Sequence, residues 1–229
     1  MKISVVIPVY NEQKYIRSCL DSLLDQQIKA DEVIVVNNNC TDKTISIVRR
    51  FKNIKIINEK NQGIAHARNA GFNIAKGDIF IKVDADTALP RQYIKKVKNI
   101  FSTNEIIAYV SDFIFIDVFI LKFSRLFSVL FQFFFRVIFG YNVLTGPAFA
   151  IRKSVWSKIK DELCVDDDQA HEDIDLSIHI SSIGKIYYDQ STAIHISGRR
   201  MKFNPLSFFI EYPVIFLKML GSHRSKLNK

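Results

Sequence analysis

The chain has 229 residues, of which 48% are hydrophobic and 24% are charged, and its Lys and Arg outnumber its Asp and Glu by 32 to 23 for a formal net charge of +9. The apolar fraction excludes intrinsic disorder, and the 8 Gly and 5 Pro exclude collagen-like or low-complexity character. The length predicts one domain of ordinary size, and the one-sided charge indicates a polyanionic partner such as nucleic acid, nucleotide phosphates or an anionic membrane face.

The cysteines and the N-terminus indicate the compartment. Cys19, Cys40 and Cys164 are odd in number and widely spaced, which is typical of reduced thiols in a cytosolic protein. The N-terminus becomes an apolar strand at once and lacks the apolar segment of a signal peptide. No window of 18 apolar residues is free of charge, so we expect no transmembrane helix. Together these features predict a cytoplasmic protein.

In the first 90 residues, short apolar runs alternate with segments of helical periodicity. The expected strands are 3–9, 31–37, 54–57 and 78–83. The expected helices are 16–24, 41–51 and 63–75. This alternation predicts an α/β fold with a mostly parallel central sheet that is flanked by helices.

The remainder of the chain continues with more varied elements. A helix is expected over 90–102 and another over 172–183. Short strands are expected at 106–110, 145–151, 185–188 and 193–196. Pro205 is expected to open a last apolar helix, and the segment from 222 onwards is polar and basic.

Polar side chains follow three of the predicted strands at the point where each strand ends. The triplets are Tyr10-Asn11-Glu12, Asn37-Asn38-Asn39 and Asp84-Ala85-Asp86. Because ligands of parallel sheets bind beyond the carboxyl ends of the strands, we expect these triplets to share one site. The two carboxylates of the last triplet suit Mg²⁺ or Mn²⁺, which can bridge to a diphosphate.

An acidic cluster with one histidine stands at the start of the predicted helix 172–183. It reads His171-Glu172-Asp173-Ile174-Asp175. The simplest interpretation is that the acids complement the positive end of the helix dipole. Three acids exceed what a helix start needs, so the alternative is that one carboxylate is the general base for an acceptor hydroxyl.

Six segments in this order resemble the motifs of glycosyltransferase family 2: SVVIPVYNE, VVNNNCTD, GIAHARNAG, VDADT, HEDIDLS and ISGRR. The resemblance extends over about residues 3–200. It implies a GT-A fold, a nucleotide-sugar donor and transfer with inversion of the anomeric carbon. We therefore expect a GT-A domain over 1–200, with an amphipathic Phe-rich insertion at 113–139, and a C-terminal amphipathic helix with a basic tail over 201–229.

The resemblance implies a set of side chains that hold the donor. The nucleotide would be held by Pro8, Tyr10, Glu12, Asn37 and Asn38. The family usually has Asp where this chain has Asn37, and an amide can still pair with uracil, so a UDP-sugar is favoured while the base stays open.

Cationic side chains complete the implied donor site. Arg68 would pair with donor phosphates, and Arg199 with Arg200 would neutralise the departing diphosphate. The alternative for Arg68 is a solvated surface arginine, and for Arg199 and Arg200 it is a basic surface turn.

The same resemblance implies the metal ligands, the base and the acceptor side. Asp84 and Asp86 would be the carboxylates that hold the donor ribose and Mg²⁺ or Mn²⁺, with Asp86 the favoured metal ligand, and His195 would be a third metal ligand unless it is a structural histidine of its strand. Asp173 would be the catalytic base with Glu172 beside it. The segment from Gly146 to Arg152 would line the acceptor side.

Ten of the 19 phenylalanines lie between Phe113 and Phe139. On an ideal helix, the polar side chains from Asp117 to Arg136 share an arc of about 160°. One interpretation is a helix that packs along the sheet or against the C-terminal helix. The other is an in-plane membrane helix, because the polar arc carries Lys122, Arg125 and Arg136. With the similar segment 203–229, it would form a peripheral contact with the cytoplasmic face of the membrane.

The favoured function is therefore inverting, metal-dependent transfer of a sugar to an acceptor hydroxyl, in the synthesis of a cell-envelope glycan or glycolipid. The acceptor would be a glycan or a lipid-linked molecule. The alternatives are a nucleotide-binding module without catalysis and a polyprenyl-phosphate glycosyltransferase. A nucleic-acid partner is not expected, because the predicted donor edge of the sheet is acidic.

Overall fold

The computed structural model describes residues 1–117, 124–203, 206 and 210–222, without the side chains of residues 124, 200, 201 and 222. The first half alternates strand and helix in the order β1 (Ile3–Val9), α1 (Ile16–Leu24), β2 (Glu32–Asn37), α2 (Thr44–Val48), β3 (Ile54–Asn58), α3 (Ile64–Ile74), β4 (Ile79–Val83) and β5 (Thr87–Ala88). The second half contains α4 (Tyr93–Ile100), β6 (Ile106–Phe115), α5 (Ser124–Phe139), β7 (Ala148–Arg152), α6 (Lys153–Ile159), α7 (Glu172–Ser181), β8 (Lys185–Ile196), α8 (Arg199–Phe203) and α9 (Tyr212–Ser222).

The strands form one sheet in the order β3-β2-β1-β4-β7-β6-β8-β5. β1 to β4 are mutually parallel, and β7 runs antiparallel between β4 and β6. Apolar side chains are buried in two large clusters, which include Val5 and Ile81 in one and Val6 and Phe80 in the other. Alternate residues of each strand thus point into different clusters, as in a sheet that is covered on both faces. The expected α/β fold is confirmed.

The two central strands β1 and β4 stop pairing before β1 ends. Their ladder reaches Val6 opposite Lys82, while the ladder between β1 and β2 continues to Val9 opposite Asn37. Pro8 lies in the unpaired part, and it has no backbone N–H to offer to β4. Pro8 is itself buried, so it offers little surface to a ligand. The end of the ladder leaves room at the carboxyl edge, where the candidate site lies.

The main differences from the expected elements lie around β8. Two short strands were expected there, but β8 is one strand, whose register against β6 shifts opposite Ser111 and Asp112. The polar residues in the middle of β8 interrupt its apolar pattern, so the sequence predicts two strands where the structure has one. They are anchored by Asp189, which accepts hydrogen bonds from Tyr109 Oη at 2.9 Å and Thr192 Oγ1 at 2.6 Å. β5 and α6 were not expected at all.

The amphipathic helix α5 packs on β6 and contacts α9, with the uncharged part of its polar arc turned inward. Ser128 and Gln132, which belong to the predicted polar arc, are 1% and 2% exposed. Arg125 and Arg136 are exposed, as expected. Lys122 and the other residues of 118–123 lie outside the described residues, as do most of 204–209 with Pro205 and all of 223–229.

Candidate active site

The loops that follow β1 and β2 are tied together at the carboxyl edge of the sheet. Asn11 has a φ of 55°, a left-handed conformation that asparagine tolerates better than most residues. Its Oδ1 accepts hydrogen bonds from the backbone N–H groups of Thr41 at 2.8 Å and Asp42 at 3.2 Å. The first two predicted triplets are thereby held as one unit, beside the exposed ring of Tyr10.

The two asparagines at the end of β2 have structural partners. Asn38 is 3% exposed, donates to the carbonyl groups of Glu59 and Asn61, and accepts from Gly63 N–H at 2.9 Å. Its amide is fully engaged in holding the start of α3, so the expected contact of Asn38 with the nucleotide is not what the structure shows. Asn37 is partly exposed and pairs with neighbouring loop groups.

A buried lysine lies beneath the aspartate triplet that follows β4. Lys82 is 0% exposed, and its Nζ lies 2.5 Å from Asp84 Oδ1, 2.5 Å from the carbonyl oxygen of Gly146 and 3.2 Å from Glu172 Oε1. Burial alone would lower the pKa of Lys82, but the charges of Asp84 and Glu172 outweigh it and raise that pKa. Lys82 therefore remains a cation that joins β4 to the start of α7.

Arg68 reaches the same acidic group from α3. It is 0% exposed, and Nη1 pairs with the carboxylate of Glu172 and donates to the Glu172 carbonyl at 2.9 Å. The structure thus differs from both sequence interpretations, since Arg68 is neither a solvated surface residue nor exposed towards a donor phosphate. Its position in the sequence, on an Ala-rich helix, carried no sign of this burial.

Glu172 and its neighbour Asp173 have opposite electrostatic surroundings. Burial would raise the pKa of Glu172, but Lys82 and Arg68 outweigh it and hold that pKa below its ordinary value. Burial, followed by the negative charge of Glu172, raises the pKa of Asp173, and His171 and Lys82 only partly oppose this. Glu172 is thus a fixed anion in an ion-pair network, whereas Asp173 is the carboxylate of the pair that is suited to exchange a proton.

Gly146 provides the space between the candidate base and the aspartate triplet. A methyl group on its Cα would lie 3.5 Å from Asp173 Oδ2, 3.9 Å from Asp84 Oδ2 and 4.0 Å from Lys82 Nζ. A side chain here would therefore stand between the two carboxylates. The structure places the predicted base, the predicted donor aspartate and Gly146 at one point.

Arg199 joins two other predicted site residues. Nη1 donates to Glu12 Oε2 at 2.6 Å, Nη2 donates to the other oxygen of Glu12, and Nε lies 3.0 Å from Asp86 Oδ2. The guanidinium carbon also lies 4.7 Å from the ring centre of Tyr15. Arg199 is therefore held at the donor edge by charge on both sides. The side chain of its neighbour Arg200 lies outside the described residues.

The carboxylates of Asp84 and Asp86 are chemically suited to a divalent ion, since hard oxygens at a strand end are what Mg²⁺ and Mn²⁺ prefer. His195 does not join them. It is exposed on β8, where it pairs with Ala88, and no group of three or more His, Cys, Asp or Glu able to hold a metal ion occurs in the part of the chain that the structure describes. The donor set thus fits a metal that is held by two protein carboxylates, with further ligands from elsewhere.

Arg152 lies far from this site, contrary to the expected acceptor role. It pairs with Ile79 at the amino end of β4, while Asp84 follows the carboxyl end. Its guanidinium donates to the carbonyl groups of Phe101, Thr103 and Ile106. The antiparallel direction of β7 explains the error, because only the residues just before β7 reach the site.

Sequence reasoning missed two residues that organise the site. Lys82 is the one charge inside the apolar run of β4, and this break in the pattern was the available signal. Asp167 accepts from the N–H groups of Ile64 at 2.8 Å and Ala65 at 3.5 Å, so it caps α3 across a long sequence distance. No local pattern could have paired Asp167 with that helix.

Comparison with known proteins places the chain in a family. The family described as Glycosyl transferase family 2 matches residues 4–159. The glycosyltransferase GlyA of Streptococcus pneumoniae is 38% identical over 98 residues, which are 41% of this chain and 14% of that protein.

Solved structures share the fold at low identity. The mannosyltransferase PcManGT from Pyrobaculum calidifontis, in complex with GDP-Man and Mn²⁺, superposes with a TM-score of 0.77 at 18% identity, over 98% of this chain and 64% of that one. TarS of S. aureus, residues 1–349 with UDP-GlcNAc, gives a TM-score of 0.69 at 21% identity, over 96% and 67% of the two chains. The chain thus spans only part of the length of these proteins. The fold and the family match over residues 4–159 together establish that the chain belongs to glycosyltransferase family 2.

Proposed function

We propose that this chain transfers a sugar from a nucleotide-diphosphate donor to an acceptor hydroxyl with inversion of the anomeric carbon. The observation that carries the proposal is the meeting of Asp173 and Asp84 across Gly146 at the carboxyl edge of the sheet. With Asp173 as the base, a proton acceptor would stand opposite Asp84, a carboxylate of the predicted donor site. An inverting displacement needs groups on both sides of the reacting carbon.

The donor would lie along the ends of β1, β2 and β4. Tyr10 offers an exposed ring beside Asn37, and Glu12 with Arg199 lies next to Asp86. The solved relatives contain UDP-GlcNAc in one case and GDP-Man in the other, which supports a nucleotide-sugar donor and leaves the base to experiment. We favour a UDP-sugar, since the partly exposed amide of Asn37 keeps one N–H and one acceptor lone pair beyond its hydrogen bonds with Asn58 and Cys40.

The proposed reaction is a single displacement. The acceptor oxygen attacks the anomeric carbon from the face opposite the diphosphate, and its proton passes to Asp173. The bond from the anomeric carbon to the diphosphate oxygen breaks, and the nucleoside diphosphate leaves with the electron pair. Arg199 stabilises that departing charge, which is the electrostatic part of the catalysis. Gly146 leaves the space through which the acceptor hydroxyl reaches Asp173.

A divalent ion would be held by Asp84 and Asp86. When bound, it supplies positive charge to the diphosphate of the donor. Mn²⁺ in the solved relative with GDP-Man supports this part of the proposal. Asp86 already faces the guanidinium of Arg199 at 3.0 Å, so the ion and Arg199 would share this carboxylate.

We expect donor binding to depend on the metal. UDP-, GDP- and dTDP-sugars should be screened by thermal shift with Mn²⁺ or Mg²⁺, where a bound donor at one hundred times its Kd adds about 2.7 kcal/mol of stability. The expected result is a shift for one donor class that is lost in excess EDTA and in Asp86→Asn. Asp161→Asn, an exposed acid outside the site, is the matched control. Full donor binding and turnover in EDTA would overturn the metal proposal.

We expect the rate of sugar transfer to fall on acidification. The fall should begin at a higher pH than it would if the base were an aspartate with an ordinary pKa. The active form of Asp173 is deprotonated, and burial followed by the charge of Glu172 raises its pKa, so protonation and loss of activity begin earlier as the pH falls. The measurement is kcat/KM against pH, with donor affinity followed in parallel. An acid limb at the ordinary aspartate pKa would contradict the role of Asp173.

The specific acceptor class and pathway are part of the same proposal. We favour a cell-envelope glycan or glycolipid as the product, and a polyprenyl phosphate is the alternative acceptor. A nucleotide-binding module without catalysis is disfavoured, because Asp84, Asp86 and Asp173 are all present and Asp173 meets Asp84 across Gly146. Release of nucleoside diphosphate on incubation with donor would separate the enzyme from the module.

A further inference from the structure

The helix α5 buries polar side chains and exposes large apolar ones, which is the reverse of an ordinary surface helix. Ser128 and Gln132 are buried and fully engaged: Ser128 Oγ donates to Asp112 Oδ1 at 3.0 Å, and Gln132 exchanges two hydrogen bonds with the backbone of Val143. Because these polar groups are satisfied inside the protein, the helix is fixed in this orientation. These buried hydrogen bonds therefore determine which face of α5 points into the protein.

The opposite side of α5 presents large apolar side chains to the outside. Each of the following is more than half exposed: Leu126, Leu130, Phe133, Phe134 and Val137. At about 100° per residue they fall within one stripe along the helix. Burying such a side chain contributes about 1.5–3 kcal/mol, so a continuous exposed stripe is a large stabilisation that the chain alone does not realise.

The neighbouring helix α9 adds a second stripe. The ring centres of Phe135 and Phe216 lie 5.3 Å apart, which fixes α9 against α5. On and just before α9, one helical spacing leaves Ile210, Val214 and Leu217 exposed. We call the exposed apolar residues of the two helices the α5–α9 surface. These eight exposed apolar side chains lie on or next to two adjacent helices, which sets them apart from scattered surface hydrophobics.

The charged side chains on α5 and α9 are basic. Neither helix contains an acidic residue, and Arg136 and Lys218 are exposed on them. Glu211, which is exposed next to Ile210 just before α9, is the one acid in the sequence of residues 196–229, against seven Lys and Arg. Apolar stripes with basic flanks match the boundary of an anionic bilayer, where acyl chains lie beneath negative headgroups. A second copy of the chain would instead bring the same cations together.

The α5–α9 surface is directly connected to the candidate base. Phe135 of α5, Ile174 of α7 and Met219 of α9 belong to one buried apolar cluster. His171, two residues before Asp173, stacks on Tyr212 at the start of α9 with ring centres 4.6 Å apart. The candidate base therefore lies on a helix that is packed against both α5 and α9.

We propose that the α5–α9 surface docks on an anionic lipid surface and thereby holds the active site against an acceptor that is itself anchored in that membrane. The acceptor part of this inference rests on the proposed function. The attachment proposed is peripheral and uses the exposed faces of α5 and α9. Among the described residues, no helix is long and apolar enough to cross a bilayer. The interface supplies orientation, and the sugar acceptor reaches Asp173 from the lipid side.

The test is flotation of the full chain with phosphatidylcholine vesicles, with and without phosphatidylglycerol, at low and high salt. We expect flotation only with phosphatidylglycerol, and weakening by salt. Arg136→Glu should reduce partitioning by at least about fivefold, since each basic residue near the surface contributes about 1 kcal/mol. Lys95→Glu on α4 is the matched control, because Lys95 is equally exposed outside the surface.

The apolar part is tested by the double variant Phe133→Ser, Val137→Ser, with Leu24→Ser on α1 as control. The double variant should lose at least about tenfold in partitioning and stay folded, because both side chains are already exposed. No flotation at low salt, or a dimer in solution that hides the surface, would overturn the proposal. Donor turnover in the absence of vesicles is measured on the same variants, so a failed enzyme and a failed membrane surface give different results.

Discussion

Replacing Asp173 with asparagine is expected to lower the rate of sugar transfer by about 10²–10⁴ while donor affinity stays unchanged. The substitution keeps the shape of the side chain and an oxygen that can accept the N–H of Ile174, which Asp173 Oδ1 now accepts at 2.9 Å. It removes only the capacity to take a proton from the acceptor. The loss should therefore fall on kcat, because the donor contacts lie at the other strand ends.

The measurement is release of nucleoside diphosphate in the presence of acceptor, with donor affinity determined separately by thermal shift. Asp161→Asn is the control, since Asp161 is an exposed acid of the same segment. The fold of the variant is checked by its unfolding midpoint. Turnover of Asp173→Asn near the level of the unsubstituted chain would remove Asp173 from the role of base.

Replacing Lys82 with methionine is expected to have the largest effect on stability. The substitution leaves Asp84 and Glu172 without a cation that is 0% exposed and lies within 3.2 Å of both. Removing one partner of a buried ion pair typically costs about 3–5 kcal/mol. The remaining negative charge should also raise the pKa of Asp173 further, because Lys82 now opposes that rise. The acid limb of the activity profile would then move to higher pH.

Urea unfolding measures the first effect, and kcat/KM against pH measures the second. Lys82→Arg, which retains the charge, should recover part of the stability, whereas Lys95→Met on the surface should change little. Adding Asp84→Asn to Lys82→Met should reduce the cost, since Asp84 is the carboxylate that loses its cation while Glu172 still pairs with Arg68. A stability change below about 1 kcal/mol for Lys82→Met would show that the network does not hold the site together.

The sequence predicted the parallel half of the sheet well, because each strand is a short apolar run with its own helix after it. The ends of β1, β2 and β4 could be located from polar triplets, and they do meet at one edge. What the sequence could not show is which polar residues point into the site. Asn37 and Asn38 are adjacent and have the same side chain, yet the amide of Asn38 is hydrogen-bonded to the backbone of Glu59 and of Gly63, before the start of α3.

Long-range pairings account for the other errors. Arg68 and Glu172 are 104 positions apart, so no local sequence pattern indicates that the arginine is buried beneath the site. The predicted acceptor role of Arg152 treats residues 146–152 as one group. Because β7 is antiparallel to β4, Arg152 lies at the opposite edge of the sheet from Gly146. For α5, the helical period was correct, but the inward direction of its polar arc depends on acceptors from Asp112 and Val143.

The pairing of β4 with β7 has a consequence for the order in which parts of the site can form during synthesis. The crossover from β1 to β2 is short, since Ile3 and Asp31, which it brings together, are 28 positions apart. The contact of Lys82 with Gly146 spans 64 positions, and loops of that length carry a higher entropic cost of closure. During synthesis, the ends of β1 and β2 can thus meet before Gly146, Asp173 and Arg199 have been made. The candidate site is complete only when both halves of the sheet are in place.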